Sequence, residues 1–370
     1  MIACDRRDRR FDIWRADARP LGRIPLQAIR DVRQTTETKF IMSRYVGMAA
    51  SLTLALASVG VVSLPVNAQE DITELSFGII STESQANQIP LWEPFVEELS
   101  TCIALPVKAF YSTQYAGIIE AMRFDQVDIA WYGGKSYIEA AKIAEAEAFA
   151  QTVATDGSTG YYSYLITNAD NPILDDIDLE AQDGDEYVIA NADELTFAFN
   201  DPNSTSGFLV PSFYVFAQNG VNPNEAFERL IFAGSHEATA LAVANNQVDV
   251  ATNNNESLAR LEETDPEALE NIEVIWTSPI IPSDPIAYRS DLPEALKATI
   301  RDCFYNFDNE AILTPLQWSE LVPADDSGWD TIRELDIAKR MAELENSDLS
   351  DADKKAGMAE LQDELAALGN

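Results

Sequence analysis

Three hydroxyl side chains stand together at Ser204-Thr205-Ser206, inside the stretch Asp201-Pro202-Asn203-Ser204-Thr205-Ser206-Gly207-Phe208-Leu209-Val210-Pro211. A strand is expected just before it, at Leu195 to Phe199, and the apolar run Phe208 to Phe216 just after it reads as a buried helix. The hydroxyls therefore fall at a helix N-terminus. The first backbone N–H groups of a helix have no partner within it and sit at the positive end of its dipole, so the oxygens of an anion can complete them. Hydroxyls add donors without adding charge, and Gly207 would let a ligand approach the backbone closely. A single Ser or Thr at such a place is ordinarily an N-cap. Capping uses one hydroxyl, so three in a row fit an anion site as well as they fit a capped turn.

Such a site needs a rigid frame, and the chain alternates short apolar runs with amphipathic stretches in the manner of an α/β protein. Strands are expected at Leu75 to Ser81, Leu105 to Tyr111, Val127 to Tyr132, Tyr161 to Thr167 and Val248 to Thr252. Helices are expected at Trp92 to Leu99, Tyr115 to Phe124, Ser136 to Ala146 and Ala238 to Asn246. The acidic loop from Asn168 to Glu186 is a candidate boundary. An internal echo supports two similar lobes: Ala121 to Ala130 and Ala242 to Ala251 share Gln-Val-Asp and an Ala in register. Each copy feeds a helix into a short strand that ends in polar or aromatic residues, Trp131-Tyr132-Gly133 in one and Thr252 to Glu256 in the other. Ligands of open α/β sheets sit at such strand ends.

The opening segment has a different character. Residues 1–41 are arginine-rich without amphipathic period, and Met42-Ser43-Arg44 followed by the apolar run Val46 to Leu64 and Val66-Asn67-Ala68 reads as a secretory signal peptide cleaved after Ala68. Removing residues 1–68 takes away 11 of the 25 Lys and Arg and 6 of the 62 Asp and Glu, leaving 14 basic against 56 acidic residues, a net charge of −42. That surface repels nucleic acid and anionic membranes, and it suits solubility in salty water. There is no Cys-x-x-Cys and His236 is the single histidine, so a zinc site or haem attachment has nothing to build on and no cofactor is expected.

From Leu75 to Tyr288 the chain resembles the phosphonate ABC-transporter substrate-binding proteins, the PhnD type. The matching stretches are Phe77-Gly78-Ile79-Ile80-Ser81-Thr82-Glu83-Ser84, Tyr115-Ala116-Gly117-Ile118-Ile119, Asp128-Ile129-Ala130-Trp131-Tyr132-Gly133, Asp156-Gly157-Ser158, Asp201 to Pro211, Leu241 to Asn245, Val248 to Asn254 and Ile281-Pro282-Ser283-Asp284-Pro285-Ile286. The resemblance implies a two-lobed periplasmic-binding-protein fold of type II, each lobe a mixed sheet flanked by helices, with the ligand in the interlobe cleft. Lobe 1 is expected at residues 69–167, lobe 2 at 168–280, a return to lobe 1 at 281–328 and a helical tail at 329–370.

It further implies that Ser204, Thr205, Ser206 and His236 hold phosphonate oxygens, with His236 open to protonation. Tyr115 and Tyr161 would line the cleft, and Glu256 with Asp284 would hold an ammonium group. Taken singly, His236 reads as a capping or surface residue and the two acids as solvated carboxylates. Two carboxylates have no use in a pocket for a simple anion, because unpaired negative charge is costly to bury beside one, so a zwitterion such as 2-aminoethylphosphonate is the expected ligand. Phosphite, phosphate or a simple alkylphosphonate is the alternative, and a hydrolase using Ser204 or Ser206 with His236 is a remote one, since the chain lacks a Gly-x-Ser-x-Gly elbow. The implied partner is a membrane permease.

Two further expectations depend on this architecture. Cys102 and Cys303 would both belong to lobe 1, which predicts a disulfide, with two buried free thiols as the alternative. Ile332, Leu335, Ile337, Ala338 and Met341, then Met358, Leu361, Leu365 and Leu368, predict two amphipathic tail helices that pack on the first lobe or mediate self-association.

Overall fold

The computed structural model describes residues 72–368, so the expected signal segment lies outside the described residues. Elements are numbered along the chain. The first sheet has six strands in the order β13-β4-β12-β3-β1-β2: β1 (Leu75–Ile79), β2 (Val107–Tyr111), β3 (Ile129–Trp131), β4 (Ala146–Ala154), β12 (Pro285–Arg289) and β13 (Trp318–Pro323). The second has five in the order β10-β6-β9-β7-β8: β6 (Ser163–Asn168), β7 (Thr196–Phe199), β8 (Arg229–Phe232), β9 (Val250–Asn254) and β10 (Ile272–Thr277). Between them β5 (Gly160–Tyr161) pairs antiparallel with β11 (Ile281–Pro282), where the chain passes from one sheet to the other and back. The strand after Gly160 pairs within the second sheet, so the crossing precedes the acidic loop 168–186.

Helices α1 (Gln85–Ile103), α2 (Tyr115–Arg123) and α3 (Gly134–Ile143) follow β1, β2 and β3. The second lobe carries α4 (Gly184–Ala190), α5 (Pro223–Ala226), α6 (His236–Ala244), α7 (Asn255–Thr264) and α8 (Pro266–Glu270). α9 (Glu294–Tyr305) and α10 (Glu310–Leu313) return to the first lobe, and α11 (Asp330–Glu345) with α12 (Asp351–Leu368) form the tail. Among the described residues no helix is long and apolar enough to cross a membrane.

The internal echo is structural. In the first lobe β1 lies between β2 and β3, all parallel; in the second β7 lies between β8 and β9, again parallel. Asp128 takes the backbone N–H of Ser76 at 2.8 Å on Oδ2, and Asp249 takes that of Thr196 at 2.8 Å. The aspartate of each Gln-Val-Asp thus ties the incoming strand to the central strand of its parallel trio. Both feeding helices end alike, with Gln126 N bonded to Ala121 O and Gln247 N to Ala242 O, and with Asp125 and Asn246 at φ of 58° and 54°. That left-handed residue lets the last carbonyls find donors.

Several elements differ from the sequence reading. α1 starts at Gln85 rather than near Trp92 and runs through Pro90 and Pro94. Its apolar stripe of Trp92, Phe95, Val96, Leu99 and Ile103 is buried, and that burial outweighs the two missing N–H bonds. β4 is not among the expected strands, only its first residue falling at the end of the helix expected at Ser136 to Ala146, yet it occupies the sheet between β12 and β13. α11 buries Ile332, Leu335 and Ile337 not only on the first lobe, against α3, but also on the second, against the segments Thr205–Leu209 and Ser212–Phe216. Lys135 on α3 pairs with Asp336 of this helix at 2.8 Å.

Cys102 of α1 and Cys303 of α9 are disulfide-bonded, with their Cα atoms 5.8 Å apart and 201 positions between them. Closing so long a loop constrains the unfolded chain by roughly 5 kcal/mol in the chain-entropy account. Reduction should therefore lower the melting temperature by on the order of 10 °C. Thermal unfolding with and without reductant checks this, and an unchanged midpoint would show that the bridge contributes nothing.

Candidate functional site

The hydroxyl stretch folds as a helix start, one turn earlier than expected and in a wider winding. Ser204 is the N-cap of a π-helical turn, Thr205–Leu209, and its Oγ accepts from Gly207 N at 3.0 Å. Leu209 N reaches back five residues to Ser204 O at 3.1 Å, and a second π-turn, Ser212–Phe216, follows Pro211. Wide turns of this kind recur at functional sites. Gly207 does not leave room for a ligand. A Cβ there would lie 2.4 Å from Asn200 Cβ and 2.8 Å from Ser204 Oγ, so the glycine is required by close packing of the turn on β7's exit.

His236, the first residue of α6, brings its Nε2 within 3.4 Å of both Ser204 Oγ and Ser206 Oγ. Asn254, at the end of β9, was not among the expected site residues. Its Oδ1 accepts from Ser257 N at 2.7 Å as the cap of α7, which turns its amide nitrogen to Ser206 Oγ at 3.0 Å and His236 Nε2 at 3.2 Å. Nε2 faces a donor and so accepts, leaving the ring proton on Nδ1. Burial, with Arg260 adding to it, pushes the imidazole down to about 3. The histidine is neutral in this arrangement, where the sequence left it open to protonation. Thr205 Oγ1 meanwhile accepts from Lys135 N of the first lobe at 2.9 Å.

The carboxylates gather at the other end. Glu256 lies in the first turn of α7, Asp284 between β11 and β12, and Tyr161 on β5; Tyr115 opens α2, with its hydroxyl 3.4 Å from Asn200 Nδ2. The cluster includes two groups that the sequence reading missed: Arg260, one turn after Glu256, and Glu83, whose Oε1 meets Arg260 Nε at 2.6 Å. Glu83 thus pairs with the guanidinium directly, while Glu256 and Asp284 act on it electrostatically from nearby. Burial raises Asp284 well above the usual carboxylate range, Glu256 adds to the rise, and Arg260 with the Tyr161 hydroxyl opposes it. Burial also raises Glu256, with Arg260 pulling the other way. Asp284 Oδ1 has no hydrogen-bond partner among the described residues.

Gly133, at the end of β3, locates the two ends relative to each other. A Cβ placed on it would lie 3.1 Å from Thr205 Oγ1 and 3.7 Å from Asp284 Oδ1. Ser204, Thr205, Ser206, His236, Tyr115, Tyr161 and Asp284 are all buried, and Glu256 is half-buried, so the lobes are closed over them. A separate cavity of about 650 Å³ between α3 and the tail is lined by Glu139, Glu145, Glu147, Asp336, Arg340 and Glu364 among others, and its acidic wall is a poor fit for an anion.

Two mixed sheets flanked by helices, joined by a paired crossover and closed over polar side chains, are the architecture of a periplasmic solute-binding protein. The chain belongs to the family of ABC transporter, phosphonate, periplasmic substrate-binding proteins, whose family model matches residues 77–329. It is 45% identical over 336 residues to a phosphonates-binding periplasmic protein of Escherichia coli K12, covering 87% of this chain and 96% of that protein. A binding-protein component of an ABC phosphonate transporter from Pseudomonas aeruginosa is 47% identical, with a TM-score of 0.75 over 80% of this chain and 96% of that one. A Prochlorococcus marinus protein solved in complex with methylphosphonate shares the fold, at 23% identity and a TM-score of 0.63 over 71% of this chain and 97% of that one.

Proposed function

We propose that this protein captures 2-aminoethylphosphonate and delivers it to the membrane permease of an ABC importer. The observation that carries the reading is the cluster of Glu83, Glu256 and Asp284 around the lone guanidinium of Arg260, set beside the hydroxyls of Ser204, Thr205 and Ser206. An excess of buried negative charge is costly unless a cation joins it, and the adjacent donors call for an anion. A zwitterion supplies both. Its phosphonate would take the hydroxyl protons, Asn254 and the π-turn's N-terminus, while Tyr115 and Tyr161 close the sides and the ammonium lies against Glu256 and Asp284. Residues 160–162 and 281–284 serve as the hinge, and export depends on the segment ending at Ala68.

Titration calorimetry with 2-aminoethylphosphonate, methylphosphonate, phosphite and phosphate tests the reading. Tightest binding of the aminophosphonate is expected, and equal or tighter binding of phosphite or methylphosphonate overturns it. Catalysis is disfavoured by His236 itself: an imidazole depressed to about 3, with no partner on Nδ1 among the described residues, lacks the third group that orients a serine-activating base.

Self-association through the tail is a second reading. α12 packs along α11 but buries none of its own residues, and Met358, Leu361, Leu365 and Leu368 stay partly open. Light scattering should show a dimer that a chain ending at residue 349 does not form. A monomer in both cases excludes this reading.

A further inference from the structure

The two lobes cap their helices differently. In the second lobe the helices that start at the cleft cap themselves: Ser235 Oγ accepts from Ala238 N at 3.0 Å on α6, and Asn254 Oδ1 does the same on α7. In the first lobe α1, α2 and α3 begin just beyond the carboxyl ends of three neighbouring parallel strands, so their positive termini point together at the cleft. Neither Ser84 nor Gln114 bonds by its side chain into its own helix, and Gly133 has no side chain, its N–H donating to Ser136 Oγ at 3.0 Å.

The second lobe supplies acceptors to all three helices. Glu237 takes Ser84 N at 2.6 Å on Oε2 and Asn87 Nδ2 at 3.0 Å on Oε1, acting on α1 as the glutamate of a capping box ordinarily acts within one helix. Asp201 Oδ2 takes Tyr115 N at 3.3 Å on α2, and Thr205 Oγ1 takes Lys135 N on α3. The backbone joins in, with Glu237 N donating to Thr82 O at 3.2 Å, and the Arg260 to Glu83 ion pair also crosses between the lobes.

We propose that closure is driven by this capping across the cleft, with Glu237 as its principal group: opening returns three helix termini to water, and closing completes them. Glu237 is a positioning residue that touches no ligand, but it follows His236 directly, so the residue that faces the anion and the residue that grips the other lobe move as one. Glu237 therefore sets the population of the closed form, and through it the apparent affinity. The proposal rests on the solute-binding reading for its affinity arm only.

The test places one spin label on the exposed surface of each lobe and measures the interlobe distance, with and without saturating 2-aminoethylphosphonate, in parent and Glu237→Ala protein. The variant should have a smaller closed fraction without ligand, reach the parent's closed distance at saturation, and bind about fivefold more weakly, the scale of one helix-terminal carboxylate. Glu237→Gln, which keeps an acceptor and loses the charge, should fall between. If Glu237→Ala does not fold, Asn87→Asp sets a second carboxylate against Glu237 from the first lobe and should open the protein likewise. Unchanged distances together with unchanged affinity overturn the proposal. If the parent binds no phosphonate, the functional reading fails, and the ligand-free distances still decide the latch.

Discussion

Replacing Ser204 and Thr205 together by alanine is expected to lower the affinity for 2-aminoethylphosphonate by a factor of a hundred or more while the protein still folds. Each hydroxyl bond to a charged oxygen is worth roughly 1.5–3 kcal/mol, so losing two removes several. The fold should tolerate the change. Ser204 also caps Gly207 N, a bond whose loss costs about 1 kcal/mol, a modest fraction of the stability of a domain this size. The double change weakens closure as well, because Thr205 Oγ1 holds Lys135 N across the cleft. Calorimetry gives the affinity and thermal unfolding the stability. A folded double variant that binds like the parent would rule out this loop as the anion site.

These local donors must act against the whole molecule, which without residues 1–68 carries 56 acidic residues against 14 basic ones. Such a surface repels an incoming phosphonate. Its charges stand largely in solvent, where salt at 0.15 M screens them over about 8 Å. The site's donors are buried and are screened far less.

The clustering of Ser204, Thr205 and Ser206 at one helix start was legible in the sequence because adjacent residues build it, whereas His236 came to them only through the family resemblance. The carboxylate cluster was legible only in part. Glu256 and Arg260 stand four apart on α7, a spacing visible in the sequence, but that Arg260 turns to Glu83, 177 positions away, depends on the two lobes closing. Asn254 was hidden for a related reason, since an asparagine before a helix reads as a cap; here the cap fixes the amide that faces His236. β4 does not stand out as a strand in the sequence because Ala146 to Ala154 favours helix by composition, and only the partners on both sides make it one. Repeats gave the clearest signal: the two Gln-Val-Asp segments share sequence because each must end a helix and tie two strands in the same way.

The proposed preference for an aminophosphonate should be linked to proton release. In the ligand-free cluster the Asp284 carboxyl is held well above its usual range by burial, then by Glu256. A ligand ammonium placed against it favours the ionised form and brings that value down. Between the lowered and the raised values the complex holds fewer protons than the free protein, so binding releases protons and affinity rises with pH across that window. Methylphosphonate has no ammonium and should show no such release, while sharing every effect of the phosphonate on His236 and the hydroxyls. Asp284→Asn removes the titrating group. It should abolish the difference in proton release between the two ligands and cut aminophosphonate affinity by a hundredfold or more, given roughly 3–5 kcal/mol for breaking a buried pair. Calorimetry in two buffers of different ionisation enthalpy, repeated at several pH values, gives the proton count directly. Equal proton counts for the two ligands in the parent protein would mean that Asp284 does not meet the ammonium.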